Sequence, residues 1–169
     1  LVGSFLSIIF TPDHLNLIKE GPNKRRSFID MALCSMDIKY TDSLLRYQKV
    51  LSQRNALLKK EGVIPMLLDV YDEKLAEEGS YIMVARSAYI KKLEQFAKII
   101  FSDISKSENK LKLLYINQFA KEVTSREQIK ELMINRFKRT RESDIALKMT
   151  CSGIQKDDLL ILQNGKSLK

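Results

Sequence analysis

Two apolar stripes dominate this chain. The first sets Tyr40, Leu44, Tyr47, Leu51 and Leu58 at alternating steps of four and three, with Arg54 in the one missing position; Val50 and Leu57 widen it. The second runs through Leu68, Tyr71, Leu75, Ile82, Ala85, Tyr89, Leu93, Phe96 and Ile100. Such steps place side chains on one face of a helix, and a face of this width is stable only against another. Gly62-Val63-Ile64-Pro65 separates the stripes and breaks the helix. Two helices with matched stripes and a short joint predict an antiparallel hairpin. At 1.5 Å per residue the second helix would measure roughly 50–55 Å, the length of an arm. Glu78 interrupts the second stripe beside Gly79, where a bend or local loosening is expected.

The flanks read differently. The first ten residues, rich in Val, Phe and Ile, predict a buried strand. Thr11-Pro12-Asp13 supplies an N-cap, a proline in the first turn and an acid, so a short helix should run through Ile18 and end at Gly21-Pro22. From Asn23 to about Glu61 the pattern is helical, with a break near Ser35–Asp37. Leu111 to Ile116 is a candidate strand. Thr124-x-x-Glu127 and Ser125-x-x-Gln128 are overlapping capping boxes that should start a third helix, whose stripe Ile129, Leu132, Met133 and Phe137 can pack on the hairpin. Leu159 to Leu162 is a strand, and Asn164-Gly165 is a two-residue hairpin turn with a returning strand of only four residues. The expected fold is mainly α with minor β: a helical hairpin or arm (21–149) with a packed third helix. Its flanks, a strand and short helix (1–20) and a β-hairpin (150–169), look like severed pieces of a larger sheet.

Of the 169 residues, 44% are apolar and 30% charged, which suits a folded domain. No stretch reaches the roughly 18 unbroken apolar residues of a membrane span. Cys34 and Cys151, far apart, form neither a disulfide framework nor a CxxC site, which fits a reducing cytoplasm. The lone histidine, His14, rules out a multi-histidine metal site and reads as a first-turn surface residue. No phosphate-binding loop occurs: Gly165-Lys166-Ser167 ends the right way, but position 160 is Leu. Asp157 and Asp158 should point to opposite faces of a strand and serve turn or strand-entry roles. The seam aromatics should pack in the core. No residue constellation for catalysis is present.

The net charge is +8. The excess gathers in 21–61, with nine basic and four acidic side chains, and in 110–149, with ten and five. Its densest clusters are Lys24-Arg25-Arg26 and Arg136-Lys138-Arg139-Arg141. Both clusters suit neutralisation of phosphates. A solvated helix face, with cations near a C-terminus that favour the helix dipole, suits the second cluster better and the first about equally.

Thr11-Pro12-Asp13-His14-Leu15-Asn16-Leu17-Ile18 followed by Gly21-Pro22-Asn23-Lys24-Arg25-Arg26-Ser27-Phe28-Ile29-Asp30 resembles the signature of the bacterial RecF family. Tyr47-Gln48-Lys49-Val50-Leu51-Ser52-Gln53-Arg54-Asn55-Ala56-Leu57-Leu58-Lys59 is similar to a second hallmark, and Thr150-Cys151-Ser152-Gly153 with Asp157-Asp158-Leu159 to a third. Where the family usually reads G-P-H-R-D-D, this chain has Gly153-Ile154-Gln155-Lys156-Asp157-Asp158. The resemblance implies the middle of a RecF-type parent: the helical lever lobe of an ATPase resembling the heads of chromosome-maintenance ATPases of the ABC class. The parent would bind ATP and Mg²⁺ outside this segment, hydrolyse ATP weakly and dimerise with ATP. With RecO and RecR it would load RecA at single-strand gaps, during replication-linked repair and the damage response, in the cytoplasm at the nucleoid. This segment would bind no cofactor or metal and perform no ATP chemistry. It would offer contacts to single-stranded and gapped duplex DNA or to a partner, and none to a membrane. The candidates are Lys24, Arg25, Arg26, Arg136, Lys138, Arg139 and Arg141 for nucleic acid and Arg54 for coupling. Alternatively Arg54 snorkels or pairs with a carboxylate such as Glu78. The alternative function is a protein-docking scaffold for a mediator subunit such as RecR, without DNA contact.

Overall fold

A computed structural model of the chain describes residues 16–62, 64–105, 110–123 and 125–168. The first predicted strand, the Thr11 cap, His14 and the Thr124 half of the capping pattern lie outside these residues. The described elements are helices α1 (Asn16–Lys19), α2 (Pro22–Met36), α3 (Ile38–Leu58) and α4 (Pro65–Ser105), strand β1 (Leu111–Ile116), helix α5 (Arg126–Leu147), and strands β2 (Asp158–Gln163) and β3 (Lys166–Ser167). The fold is mainly helical with one small antiparallel sheet.

The helix boundaries follow local chemistry. Pro22 sits in the first turn of α2, where its missing N–H costs nothing, and Asp37 leaves the helical region and separates α2 from α3. Pro65 opens α4 in the same way. At α5 the Ser125 side chain caps the helix by accepting from the Gln128 N–H at 3.2 Å. The chain divides into two compact units: residues up to 37, 85–116 and from 157 onward form a sheet-bearing unit; residues 38–84 and 117–156 form a helical unit.

In the sheet-bearing unit β2 lies between β1 and β3, antiparallel to both. Leu113 pairs with Ile161 and Tyr115 with Leu159, which puts these four side chains on one face; Leu113 and Leu159 are buried there. Asn164 and Gly165 both have positive φ, 51° and 78°, as a two-residue turn between twisted strands requires. Helix α2 packs on β2 and buries Ile29 and Leu33.

The helical unit packs α3, residues 65–84 of α4, and α5. Arg46 bonds Glu78 and Arg54 bonds Asp72, so α3 descends as α4 ascends, the predicted antiparallel pair. Arg126 bonds Glu77 while Arg141 bonds Asp69 and Asp72, which sets α5 antiparallel to α4 as well. Tyr40, Tyr47, Arg54 and Leu58 of the first stripe are buried, as are Leu68, Leu75 and Ile82 of the second and Ile129, Met133 and Phe137 of α5; Leu132 is exposed.

Two expectations fail. The second stripe does not continue as a buried line, because Phe96 is 65% exposed and Ile100 58%, while Arg86 and Ile90 are buried instead. The buried residues Asp72, Ala76, Gly79, Met83, Arg86 and Ile90 follow the same alternating steps of four and three, one position along from the stripe, and burial along α4 ends at Ile90. Nor does Glu78-Gly79 loosen the helix, since α4 is unbroken there. Gly79 is a point of close approach: a β-carbon would lie 2.5 Å from the Met133 methyl and 3.1 Å from the Tyr47 ring. Gly79→Leu should therefore cost about 1–3 kcal/mol in urea unfolding. Gly79→Ala should be near neutral, because about 1 kcal/mol of helix propensity offsets displacement of one flexible methyl. Equal effects of the two would show that the site is not tightly packed.

Candidate functional site

The helical unit is built around a fully buried cation. The Arg54 side chain has no solvent exposure, and neither do Asp72 and Asp144. Its Nε donates to Asp72 Oδ1 at 2.8 Å, and its Nη1 donates to Asp144 Oδ2 at 2.7 Å and to Thr150 Oγ1 at 2.9 Å. The guanidinium carbon lies 5.7 Å from the centroid of the Phe137 ring, a cation–π contact. Among the described residues Nη2 has no hydrogen-bond partner. Asn55, next to Arg54, accepts both the Thr150 N–H and the Thr150 hydroxyl, and Asp144 Oδ1 accepts the Cys151 N–H. One arginine thereby ties α3, α4, α5 and the loop after α5 together.

Arg54 does not pair with Glu78, which Arg46 engages through two bonds. Burial, then the bond to Asp144, pushes the Cys151 thiol up and keeps it protonated. The same loop is pinned again at Tyr47, whose hydroxyl donates to Gln155 Oε1 at 2.7 Å and accepts the Ile154 N–H. Gly153 has φ +132°, and a β-carbon there would lie 2.3 Å from both groups of the Tyr47–Gln155 pair, so this position needs glycine.

The sheet-bearing unit holds a second ionic cluster. Arg25 clamps Asp158 with Nε at 2.7 Å and Nη2 at 2.9 Å, and its Nη1 donates to the Glu20 carbonyl. Arg86 clamps Asp30 with two 3.0 Å bonds and also donates to Asp157 Oδ2 at 3.2 Å. The Tyr115 hydroxyl donates to the same oxygen, and Arg26 donates to the Asp157 carbonyl. Asp157 Oδ1 is buried without a partner among the described residues. Burial pushes the Asp157 carboxyl up from 3.8 to about 7 against the pull of Arg86. Burial and then the Asp157 charge push Tyr115 well above its ordinary value.

No family model matches the chain. The DNA replication and repair protein RecF of Caldanaerobacter subterraneus subsp. tengcongensis is 38% identical over 98% of this chain and 46% of its own length. RecF of Clostridioides difficile is 39% identical over 97% of the chain and 44% of its length. A solved structure of the recombination mediator protein RecF with ATPrS, in the RecFOR pathway, superposes with a TM-score of 0.94 at 38% identity, covering 98% of this chain and 45% of that one. Nearly the whole chain is thus similar to RecF proteins. It spans about half the length of the relatives it matches.

The RecF-like motifs resolve into these two clusters. Of the first basic trio, Arg25 is buried and committed to Asp158; Arg26 is half-buried, bonded to Asn23 and the Asp157 carbonyl; Lys24 is exposed beside Glu20. Of the second group, Arg141 bridges Asp69 at 2.5 Å and Asp72 at 2.7 Å, and its bond holds Asp69 below the usual carboxylate range. Arg136 reaches Ser152, while Lys138 and Arg139 are exposed. Lys24, Lys138 and Arg139 are thus the candidates with free access to a ligand. Asp157 and Asp158 diverge as alternation requires, yet Asp157 is a buried acid at the centre of a network rather than a turn residue. Asp72, Asp144 and Arg86 had no sequence signal beyond their place on helical faces. Among the described residues no group of three or more His, Cys, Asp or Glu could hold a metal ion, and no helix is long and apolar enough to cross a membrane.

An acid that holds its proton more tightly folded than unfolded stabilises the fold while protonated. For Asp157 that contribution is complete below about pH 4 and is lost as pH rises through about 7. The melting temperature of the unsubstituted chain relative to Asp157→Asn should therefore fall steadily from pH 4 to pH 7.5. A difference independent of pH would place the proton elsewhere.

Proposed function

We propose that this chain is the helical contact lobe of a RecF-type DNA replication and repair protein. It supplies geometry and surface for DNA or partner contact and takes no part in ATP chemistry. In this reading the lever lies within residues 21–149, and the flanks 1–20 and 150–169 belong to the edge of an ATPase lobe; α2 and the second half of α4 group with β1–β3 in one compact unit. ATP and Mg²⁺ bind the parent outside this segment, and the parent dimerises with ATP. Working with RecO and RecR in the cytoplasm, at the nucleoid, the parent helps to load RecA at single-strand gaps.

The observation that carries this reading is the agreement along almost the whole chain with RecF, 38% in sequence and 0.94 in TM-score. Exposed cations on two separate helices, Lys24 on α2 and Lys138 and Arg139 on α5, give it a means of meeting phosphates. Arg25 and Arg141 support these positions from within, each bound to aspartate.

Fluorescence anisotropy with single-stranded, duplex and junction DNA across a salt series tests the reading. Combined reversal of Lys24, Lys138 and Arg139 to Glu should weaken binding at least tenfold. It should also flatten the plot of log affinity against log salt by about two to three units. An absence of binding at low salt would overturn the DNA contact and leave the protein-docking scaffold.

A further inference from the structure

The helical unit carries a groove that neither ionic cluster uses. Arg46, Lys49, Val50 and Gln53 of α3 line one side, and Lys74, Glu77 and Glu78 of α4 the other, around a cavity of about 460 Å³. Both carboxylates in it are already engaged. Glu78 takes two bonds from Arg46; Glu77 takes Arg126 at 2.5 Å and Lys130, and the Lys130 bond holds Glu77 below the usual carboxylate range. Lys49 and Lys74 are exposed and have no carboxylate partner among the described residues. The field left over in the groove is therefore positive.

The groove continues as apolar surface. On α4, Leu67, Val70, Lys74 and Glu77 follow one another at steps of three and four, so Val70 and Leu67 extend the groove wall by one and two turns. Both are exposed, 51% and 48%, and Met66 and Ile64 beside them are exposed as well. On α3, Leu57 extends the row of Lys49 and Gln53 in the same direction. A surface that is apolar at one end and cationic at the other matches a ligand of the reverse polarity. A phosphate backbone would satisfy the lysines and leave Leu67, Val70 and Met66 in water. A polypeptide with apolar and acidic side chains satisfies both, and two antiparallel helices present the furrow into which a third helix packs.

We infer that the α3–α4 groove is a docking site for an acidic amphipathic helix of a partner protein. The partner sets two apolar side chains against Leu67 and Val70. Its carboxylates lie one to two turns further on, against Lys74 and Lys49. From Leu67 to Glu77 the groove wall is about 15 Å long at 1.5 Å per residue, so about ten residues of partner helix occupy it. This site stands on the groove's own residues and is independent of DNA contact by Lys24, Lys138 and Arg139.

The test uses two designed 18-residue helical peptides with the same leucine stripe, one flanked by glutamates and one by lysines, and an 18-nucleotide single strand. Methyl chemical shifts of Val50, Leu67 and Val70 report occupancy, and anisotropy reports affinity. The glutamate peptide should move these methyls and bind at least tenfold tighter than the lysine peptide. Val70→Asp and the pair Lys49→Glu with Lys74→Glu, all at exposed positions, should each weaken it at least tenfold, while Lys138→Glu leaves it unchanged. Equal binding of the two peptides would overturn the proposal, as would methyls moved only by the oligonucleotide or by none of the probes. Shifts that track chain concentration alone would assign the groove to a second copy. Loss of DNA binding in the salt series, with the peptide result intact, would overturn the DNA reading and leave the groove standing.

Discussion

A guanidinium removed from water must be paid for by its partners, and Arg54 sets the terms for everything packed around it. Taking one such charge into the interior costs several kcal/mol unless geometry and hydrogen bonds compensate. Here the compensation comes from four directions: Asp72 on α4, Asp144 on α5, Thr150 in the loop beyond, and the face of Phe137. An apolar residue of similar volume would tolerate sliding of the helices past one another. A planar donor fork aimed at two carboxylates does not. The arrangement selects one register for three helices, and Arg141, sharing Asp72 with Arg54, reinforces it.

The sheet-bearing unit solves the same problem with different parts. Three arginines, Arg25, Arg26 and Arg86, converge on the strand entry at Asp157 and Asp158. Asp158 faces a full clamp and Asp157 a partial one, with one oxygen left over. The RecF-like motif that places two arginines side by side on α2 thus reads, in this fold, as a device for docking α2 onto β2. Adjacent residues on a helix point about 100° apart. One of them therefore reaches the aspartate carboxylate and the other the backbone beside it.

Much of this was legible in advance, for reasons that differ by element. The break at Asp37, the turn before Pro65, the Ser125 cap and the Asn164-Gly165 turn rest on backbone chemistry within a few residues, and each stands where the sequence places it. Arg54 was legible as a seam position, but its partners were not. Periodicity reports which face of a helix is buried and says nothing of the register between helices, so Glu78 and Asp72 look equally available. The register puts Arg46 opposite Glu78, and two turns further along α3 Arg54 meets Asp72. The buried status of Arg25 was hidden for the same reason: its partner is 133 residues away in the chain. Phe96 and Ile100 misled because periodicity marks a face without showing where its packing partner ends, and burial along α4 stops at Ile90.

The central claim is that one buried cation holds four segments of the helical unit in register. Hydrogen exchange measured by mass spectrometry on Arg54→Met, beside the unsubstituted chain, tests it most directly. Losing the guanidinium leaves Asp144 without its cation and Asp72 with Arg141 alone, a change worth about 3–5 kcal/mol. The account predicts that exchange accelerates together in α3, residues 65–84, α5 and the 149–153 loop, while β1 and β2 keep their protection. Acceleration confined to the residues flanking position 54, or none at all, would contradict it.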